Sequence, residues 1–503
     1  MRRLLRGRGP LAAGVLVICL LALLPVAALL GFSLTGDGAS RPDLGPTGQV
    51  QLGNTVLLVL AVGGLGGVLG TTTGWLTAAC RFPGRRWLAI AQLLPLATPA
   101  YLLAATLVDL GSRAGWRVHG MGWTVLVLTL STYSYVFLLS RESFSIAGRR
   151  LLEAARSLGV GPWGGFRRVA LPLALPAIGA GIALTGMEVV NELGAVELLG
   201  VPTLSSGILQ RWQNEGDPRG AAALALLALL LVSLLVAAER RLRRRSRRWS
   251  LGAQEGLEPW PLSGWRAAAA VAVTVVPPLL ALGAPLLWAG LSLEQMRGDA
   301  AGELAVLAVR SFGLALLAAL LTVLAGLLLA IAKRWIPQPL LTRLTFVAGM
   351  GYAVPGAVLA LALMLLGGPL ALSPLLLLVW GYSDRFLAVA KGGLDAGLER
   401  LPPSVDEAAT VLGCDWLGVL GRVHLPLLRG PLIVGALLVF VDTVKELPLT
   451  FALRPFDFDT LAVRVYQYAS DERVGEALVP ALLILLLGLA AALALVPTLE
   501  RRR

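Results

Sequence analysis

Twelve long apolar runs constrain the fold of this 503-residue chain more than any other feature. A helix needs about 20 apolar residues to cross the hydrocarbon core of a bilayer. With 56% hydrophobic and only 15% charged residues, a soluble enzyme is excluded. We therefore predict an all-α polytopic membrane protein with about 12 transmembrane helices. The runs form two sets of six: 10–34, 54–80, 87–109, 122–140, 173–195, 219–238, then 267–291, 305–331, 343–366, 372–390, 427–443, 476–497.

The distribution of basic residues predicts the orientation of these helices. If the N-terminus is cytoplasmic, 32 of the 43 Lys and Arg residues fall in cytoplasmic loops and tails. Such loops are enriched in Lys and Arg. The opposite orientation would reverse this ratio, so we expect both termini to be cytoplasmic. The net charge of +13 is then explained by topology, and no nucleic-acid partner is expected.

A basic stretch separates the two sets of runs. It contains the cluster Arg240 to Arg248, which we interpret as a topology anchor, although such a cluster can also contact anionic lipids. The predicted organisation is an N-terminal tail with the first span (1–50), a first transmembrane domain (51–238), a basic cytoplasmic linker (239–266), the seventh span with its outer loop (267–300), and a second transmembrane domain (301–498).

The chain contains an internal repeat. A Glu-Ala-Ala sequence begins at Glu153 and again at Glu407, and both copies continue as x3-Gly-x9-Val-x-Leu-Pro. The same offset of 254 residues relates Glu188 to Asp442, Glu192 to Glu446, Trp212 to Tyr466 and Asp217 to Asp471. Such a repeat indicates duplication. Because six spans is an even number, the halves have the same orientation, and we expect a pseudo-twofold axis along the bilayer normal with a pathway between them.

Each repeated segment, called here the first EAA loop (residues 153–172) and the second EAA loop (407–426), reads as helix, glycine, helix. Gly159 and Gly413 are natural helix stops, and Pro172 and Pro426 mark the entry into the next span. From the residues alone, two interpretations remain open. The loop is either a rigid knob that docks in the groove of a cytosolic partner or an amphipathic segment that lies on the lipid surface.

The repeated pattern resembles the loop of inner-membrane permeases of binding-protein-dependent ABC importers, here with two type-I halves fused in one chain. The resemblance implies two copies of an ATP-binding subunit, an extracytoplasmic binding protein, surrounding membrane lipid and a location in the bacterial inner membrane. It also implies that each loop docks on an ATP-binding subunit. By this resemblance the docking residues are Glu153, Ala154, Ala155, Gly159, Glu407, Ala408, Ala409 and Gly413.

Nucleotide chemistry is expected to come from the partner. The three lysines, Lys333, Lys391 and Lys445, lie in no GxxxxGK[ST] phosphate-binding loop. We therefore expect a transport subunit and not an enzyme, with no bound cofactor and with ATP used by the partner subunit. No metal site is assigned, because two histidines and three dispersed cysteines supply too few ligands.

The cargo is indicated by the segments that follow the EAA loops. The segments 187–217 and 441–473 resemble the corresponding parts of ferric-iron permeases. Fused permeases for thiamine, and unfused ones for oxyanions such as sulfate, share the EAA loops and remain alternatives. An ion-coupled secondary transporter with two parallel halves is a rival from another class, against which the duplicated loops argue, and a structural membrane scaffold is a third.

Four acidic residues in predicted spans are candidates for the translocation pathway. Glu188 and Glu192 are spaced i, i+4, and Asp442 and Glu446 repeat that spacing, so on a helix each pair shares a face. Ionisable groups in spans are costly and usually face a pathway or a partner, and carboxylates suit a hard cation such as Fe³⁺. The alternative is structural: these acids pair with Lys445 or nearby arginines, or cap helix ends.

Overall fold

The computed structural model describes residues 8–34, 44–146, 157–247, 259–292, 301–336, 338–349 and 354–500. Within these ranges nearly all regular structure is helical. The two strands are two residues each, β1 (Cys80–Arg81) and β2 (Trp260–Pro261), and they pair in parallel. The prediction of an all-α polytopic protein is confirmed.

The helices of the first half and the linker region are, in chain order, α1 (Arg8–Leu34), α2 (Gly45–Ala79), α3 (Arg85–Ala91), α4 (Ala100–Arg113), α5 (Met121–Ile146), α6 (Pro162–Gly165), α7 (Leu171–Asn191), α8 (Gly194–Leu198), α9 (Leu204–Leu209) and α10 (Pro218–Arg247). A 3₁₀ turn covers Leu94–Ala97, and wider π-helical turns cover Phe166–Ala170 and Gln210–Asn214.

The helices that follow are α11 (Gly264–Pro278), α12 (Ala284–Leu291), α13 (Ala301–Trp335), α14 (Pro339–Ala348), α15 (Gly356–Gly367), α16 (Pro374–Glu399), α17 (Pro403–Val411), α18 (Trp416–Val419), α19 (Leu425–Val444), α20 (Pro448–Leu453), α21 (Leu461–Ser470) and α22 (Val474–Glu500). Two π-helical turns, Leu279–Gly283 and Leu420–His424, join α11 to α12 and α18 to α19.

The predicted apolar runs coincide with these helices. Among the described residues, eight helical segments are long and apolar enough to cross a membrane, and a ninth is the pair Arg85–Ala97 and Ala100–Arg113, which bends by 91°. The remaining predicted spans fall on α14 with α15, on α16 and on α22. Pro99 is the residue at the bend; an extended backbone there ends one helix and starts the next.

The chain packs into two compact units, and each unit combines segments that are distant in the sequence. One comprises the described residues of Met1–Pro42, Glu215–Ala223 and Ala300–Val463, and the other those of Asp43–Asn214, Leu224–Asp299 and Arg464–Arg503. The first helix therefore belongs with the second half of the sequence, and α11, α12 and α22 belong with the first half. The domain boundaries predicted along the chain stay predictions.

Each unit is built around three helices that pack against one another. In one unit these are α2, α5 and α7, and α11 and α12 pack beside them. In the other they are α13, α16 and α19, and α1 packs on α13 to α15. In that unit the Trp380 indole donates to the carbonyl of Leu21 at 3.1 Å, which ties α16 to α1. The duplication thus produced the same helix triplet twice.

The two copies keep register through most of the repeat. Helices α2 and α13 are each 35 residues long and are offset by 256 residues. The helix starts at Pro162, Leu171 and Gly194 recur 254 residues later as the starts of α18, α19 and α20. Gly159 and Gly413 also share a left-handed backbone, with φ of 80° and 90°.

Downstream of α8 and α20 the constant offset is wrong. Thr55 Oγ1 accepts from the amide of Leu204 at 3.0 Å, and Ser311 Oγ accepts from the amide of Leu461 at 2.8 Å. These equivalent bonds place Leu204 opposite Leu461, an offset of 257. The second half carries three extra residues in the loop before Leu461, so Trp212 does not correspond to Tyr466, nor Asp217 to Asp471.

Candidate coupling loops and intramembrane carboxylates

The second EAA loop is a short helix closed by a left-handed glycine. Glu407, Ala408 and Ala409 lie on α17, where Glu407 and Ala408 are exposed and Ala409 is buried. Gly413 ends this element with φ of 90°, and a methyl group at that position would meet no atom within 4 Å. A side chain would therefore fit at this position. Glycine is favoured there because the positive φ angle is strained for any other residue.

Two apolar side chains at the tip of this loop are exposed. Val411 and Leu412 have relative exposures of 87% and 84%. In the first EAA loop Leu158, which occupies the position of Leu412, is 83% exposed. Largely exposed apolar side chains next to an exposed acidic side chain form the kind of surface that a protein partner covers.

The first EAA loop is described from Ser157 onward. The predicted residues Glu153, Ala154 and Ala155 lie outside the described residues. Gly159, with φ of 80°, is followed by α6 and the π-helical turn Phe166–Ala170, as in the second copy. The part of the loop that is described therefore repeats the glycine stop and the second helix.

Beneath the second EAA loop lies a buried ionic cluster that the sequence analysis missed. Asp406, directly before Glu407, accepts from Arg334 Nε at 2.7 Å and pairs with His424 Nε2 at 2.8 Å. The indole of Trp335 donates to the same carboxylate at 3.3 Å. Because a carboxylate only accepts, His424 donates through Nε2–H. Asp406 thus joins α17 to the end of α13 and to the π-helical turn before α19.

The protonation state of Asp406 follows from these contacts. Burial alone would raise the pKa of this carboxyl, but hydrogen bonds from His424 and Arg334 and their nearby charge lower it to about 2. Arg334 also donates to the carbonyls of Leu398 and Leu401 at 2.8 and 2.9 Å, which fixes the turn between α16 and α17. The carboxylate is therefore ionised at neutral pH and holds the start of the EAA helix.

The first EAA loop rests on aromatic packing instead. The Trp75 ring on α2 lies 5.4 Å from Phe144, 5.1 Å from Phe166 and 5.6 Å from Trp260, measured between ring centroids. Trp260 belongs to β2 and so brings the end of the linker into the cluster. In the repeat register, Ala78, Leu152 and Ala170 stand where the second half has Arg334, Asp406 and His424.

The four predicted carboxylates do not form two i, i+4 faces, because both helices end too early. Helix α7 ends at Asn191, and Glu192 has an extended backbone; α19 ends at Val444, before Glu446. The prediction that each pair shares a helix face required a continuous helix, and in neither half does the helix include both residues of the pair. The i, i+4 spacing was visible in the sequence, whereas the break was signalled only by Gly194 and Pro448 that follow.

Instead, Glu192 and Glu446 have matching local roles. Glu192 Oε1 accepts from the amide of Ala195 at 2.9 Å, three residues on. Glu446 Oε1 accepts from the amide of Leu449 at 3.0 Å, also three residues on, and Oε2 accepts from Thr450. Each carboxylate caps the short helix that follows the break.

The second half adds basic partners to this arrangement. Asp442 pairs with Lys445 at 2.9 Å, and the buried Arg385 places Nε 4.0 Å from Glu446 Oε1. Glu188 lies half-buried on α7. These contacts match the structural alternative, and a role in the pathway stays a prediction. Among the described residues, no group of three or more His, Cys, Asp or Glu side chains is arranged to hold a metal ion.

The family can now be stated. Residues 70–248 and 322–503 each match the model of the binding-protein-dependent transport system inner membrane component. These matches cover most of the chain and fall once in each half. The chain belongs to this family, the multi-pass inner-membrane permeases of binding-protein-dependent ABC importers.

Particular relatives differ in how much of the chain they cover. The chain is 28% identical over 452 residues to the Fe(3+)-transport system permease protein FbpB 2 of Haemophilus influenzae, covering 86% of this chain and 87% of the relative. The molybdenum transport system permease protein ModB of Escherichia coli is 32% identical over 36% of this chain and 90% of its own length. The sulfate transport system permease protein CysT of Escherichia coli is 29% identical over 37% of this chain and 72% of its own length.

Proposed function

We propose that this chain is the membrane-spanning permease of an ATP-driven importer for ferric iron. One observation carries the choice of cargo. The similarity to the Fe(3+)-transport permease extends over 86% of this chain, through both halves and the linker. The similarity to the molybdenum and sulfate permeases extends over little more than a third of it. A single chain that contains both transmembrane halves is thus a feature that this protein shares with an iron permease.

Energy enters through the two EAA loops. A copy of the ATP-binding subunit docks on each loop, at Glu153, Ala154, Ala155 and Gly159 on one and at Glu407, Ala408, Ala409 and Gly413 on the other. The exposed Val411 and Leu412, and Leu158 in the first loop, support this docking, since apolar tips next to an acidic residue suit a protein groove. ATP binds to the partner, and this chain binds no cofactor.

The orientation follows from the position of these loops. Both termini and both EAA loops are cytoplasmic, and an extracytoplasmic binding protein delivers the cargo to the opposite side. Exposed leucines along the long helices, such as Leu16 and Leu20 on α1, contact membrane lipid. This topology agrees with the excess of Arg and Lys in the loops on one side.

The four carboxylates Glu188, Glu192, Asp442 and Glu446 face the translocation pathway, each half contributing its own pair. Their capping bonds support a pathway role indirectly. Each bond lies at a helix break within a span, and non-helical backbone at that depth is tolerated only where it is buried in protein or lines a water-filled cavity. A Gln at position 192 keeps an oxygen for the capping amide of Ala195 and removes the charge. At position 446 a Gln keeps an oxygen for the amide of Leu449 but replaces the oxygen that accepts from Thr450 with an amide nitrogen. Replacing Glu192 and Glu446 together with Gln should therefore reduce iron uptake while leaving assembly intact.

The test is uptake of radioactive Fe³⁺ by cells deleted for this chain. Wild type should restore uptake, and Glu153→Lys combined with Glu407→Lys should not, because reversed charge blocks docking of the ATP-binding subunits. Glu399→Lys is the matched control: Glu399 is 63% exposed and lies just before α17, and it should support normal uptake.

The outcomes separate cargo from coupling. If wild type fails to restore iron uptake while the ATP-binding subunit still co-purifies, the importer is retained and the cargo becomes an oxyanion or thiamine. If the Glu153 and Glu407 double variant restores uptake as well as wild type does, the docking assignment is wrong. If no ATP-binding subunit co-purifies with wild type, the driving force is an ion gradient.

A further inference from the structure

The three extra residues of the second half form a rigid turn with an exposed phenylalanine. Between the starts of α20 and α21 there are 13 positions, against 10 between the starts of α8 and α9. The amide of Phe458 donates to the carbonyl of Pro455 at 3.1 Å, which closes a β-turn with Phe456 and Asp457 at its centre. We call residues 454–460 the insertion turn.

Side chains on both sides hold the insertion turn in place. Arg454 forms an ion pair with Asp459 across its base. Arg310 on α13 donates to the carbonyl of Asp457 at 2.7 Å, and its guanidinium lies 5.0 Å from the centre of the Phe458 ring. The amide of Leu461 is held by Ser311. A turn fixed at its base, side and end loses little conformational entropy when a partner binds.

The first half shows what the turn looks like without the insertion. Asn54, the counterpart of Arg310, donates to the carbonyl of Pro202 at 2.9 Å. The first half therefore uses the same anchoring position with a shorter side chain on a shorter loop. The residues at that carbonyl are Val201, which is buried, and Pro202, which is exposed but carries no aromatic ring. In the second half the loop is longer, the anchoring residue is the longer Arg310, and the ring of Phe456 lies at the tip of the turn.

That ring is almost fully exposed. Phe456 has a relative exposure of 97%, the highest of any large hydrophobic side chain among the described residues. Its neighbour Asp457 is also exposed. Aromatic side chains, Phe among them, are enriched in protein interfaces, and the backbone that carries this ring is held in place by the turn. The adjacent carboxylate argues against insertion in lipid, since moving a charged group into an apolar environment is costly.

The insertion turn lies at the far end of α19 from the second EAA loop. Helix α19 has 20 residues, about 30 Å of helix, and α20 and the turn follow its end. If the EAA loops are cytoplasmic, as the proposed function states, the turn is on the extracytoplasmic side. There the partner that the family requires is the soluble binding protein.

We propose that the insertion turn docks the extracytoplasmic binding protein, with Phe456 entering an apolar pocket on that protein and Asp457 meeting a basic side chain at its rim. The inference rests on the proposed function for the side of the membrane and for the class of partner. The second half thereby carries a recognition element that the first half lacks, and docking is asymmetric.

The test measures binding of the purified Fe³⁺-loaded binding protein of the same cells to the permease–ATPase complex in lipid nanodiscs. Phe456→Ser should weaken binding by at least tenfold, because an anchor in a pocket provides a large share of the affinity. Asp457→Lys should slow association and change its dependence on salt. Trp116→Ser is the matched control, since Trp116 is 67% exposed in a loop that the proposed topology also assigns to the extracytoplasmic side, and it should bind as wild type does.

A second readout checks the integrity of the variants. ATP hydrolysis without binding protein should be the same in wild type and all three variants, since the turn lies at the far end of α19 from the second EAA loop. Stimulation of hydrolysis by the binding protein should fall only in the Phe456 and Asp457 variants. A Phe456→Ser complex that binds within twofold of wild type overturns the docking inference and leaves the importer intact.

Lipid insertion is the competing outcome. A nitroxide attached at position 456, on a background with the three native cysteines replaced, should be accessible to a water-soluble relaxation agent and become shielded when binding protein is added. If it is instead accessible to oxygen at lipid depth and insensitive to the binding protein, Phe456 is a membrane anchor and the docking inference is wrong. If wild type itself binds no Fe³⁺-loaded binding protein, the docking inference and the iron assignment both fail.

Discussion

The two EAA loops follow the same path of glycine stop and second helix, yet different chemistry lies beneath them. Under the second loop, Asp406 is ionised and bonded to Arg334 and His424. Under the first, the Trp75 and Phe166 rings are 5.1 Å apart, and Trp260 from the linker packs on Trp75. Duplication has kept the backbone of the loop and has replaced the side chains that support it.

This difference shows which property of the loops was retained. Both supports attach the loop to a long helix of its own half, α2 in one case and α13 in the other. An aromatic cluster and a buried ion pair are each satisfactory ways to make that attachment rigid. Rigid attachment is what a loop needs if it is to transmit the motion of a bound ATPase subunit to the spans. The two supports should differ in what disrupts them.

The largest expected effect comes from removing Asp406. In Asp406→Ala the partly buried guanidinium of Arg334 and the buried imidazole of His424 lose their shared hydrogen-bond acceptor, which costs about 3 kcal/mol. Since each 1.4 kcal/mol is a factor of ten, local opening of α17 should rise on the order of a hundredfold or more. Hydrogen–deuterium exchange of the amides in Pro403–Val411 measures this, while the amides of the first loop should keep wild-type exchange.

Two variants control this comparison. Asp415 is an exposed acid on the same loop that only caps α18 through the amide of Gly418, so Asp415→Ala should cost about 1 kcal/mol. Trp75→Ala removes the centre of the aromatic cluster and should accelerate exchange in residues 157–170 alone. If Asp406→Ala loosens both loops equally, the two supports are not independent, and the comparison fails.

The parts of these loops that are local in sequence could be predicted, and the parts that are distant could not. Gly159 and Gly413 identify themselves, because a helix stop depends on one residue and its neighbours. Asp406 and His424 are separated by 18 residues, and Asp406 and Arg334 by 72, so their pairing depends on how α13, α17 and α19 pack. One signal was available in the sequence. When the two halves are aligned by the repeat, the polar residues Arg334, Asp406 and His424 stand opposite the apolar residues Ala78, Leu152 and Ala170.

The carboxylates show the opposite error, in which a local rule was extended too far. The spacing of Glu188 and Glu192 predicts a shared face only if the helix continues, but α7 ends between them. The positions of the apolar helices were predicted well because length and hydropathy determine a span, and among the described residues eight of the twelve predicted spans, or nine with the bent pair, meet both criteria. The three-residue insertion before Leu461 was missed because the flanking motifs alone gave an apparently constant offset.

Acidification should separate the two loops with a smaller effect. The pKa of Asp406 is lowered to about 2 in the folded protein, below its ordinary value of 3.8. Its stabilising contribution, about 2–3 kcal/mol, is therefore present above about pH 4 and is lost as the pH falls toward 2. Between those values, exchange corrected for its intrinsic pH dependence should increase in α17. Exchange in residues 157–170, which rest on aromatic rings, should not follow that course.

A matched variant makes this assignment specific. Asp406→Asn keeps the shape and cannot titrate, so it should remove the acid-dependent increase in α17. An unchanged pH response in Asp406→Asn would mean that another carboxyl is responsible. Glu399 and Asp395, which both lie near Lys333, would then be the next groups to replace.

The smallest effect should come from the feature that the loops share. Gly159 and Gly413 have φ of 80° and 90°, and no atom lies within 4 Å of the position of an added methyl group at either. Alanine at either position should therefore cost only the left-handed backbone penalty, about 1–2 kcal/mol. Because that penalty is independent of the supporting side chains, Gly159→Ala and Gly413→Ala should accelerate amide exchange in their own loops to a similar extent. Asn, which tolerates this conformation better, should restore most of the loss at both positions. Markedly unequal effects of the two alanines would show that the supports, and not the shared backbone, determine how each loop closes.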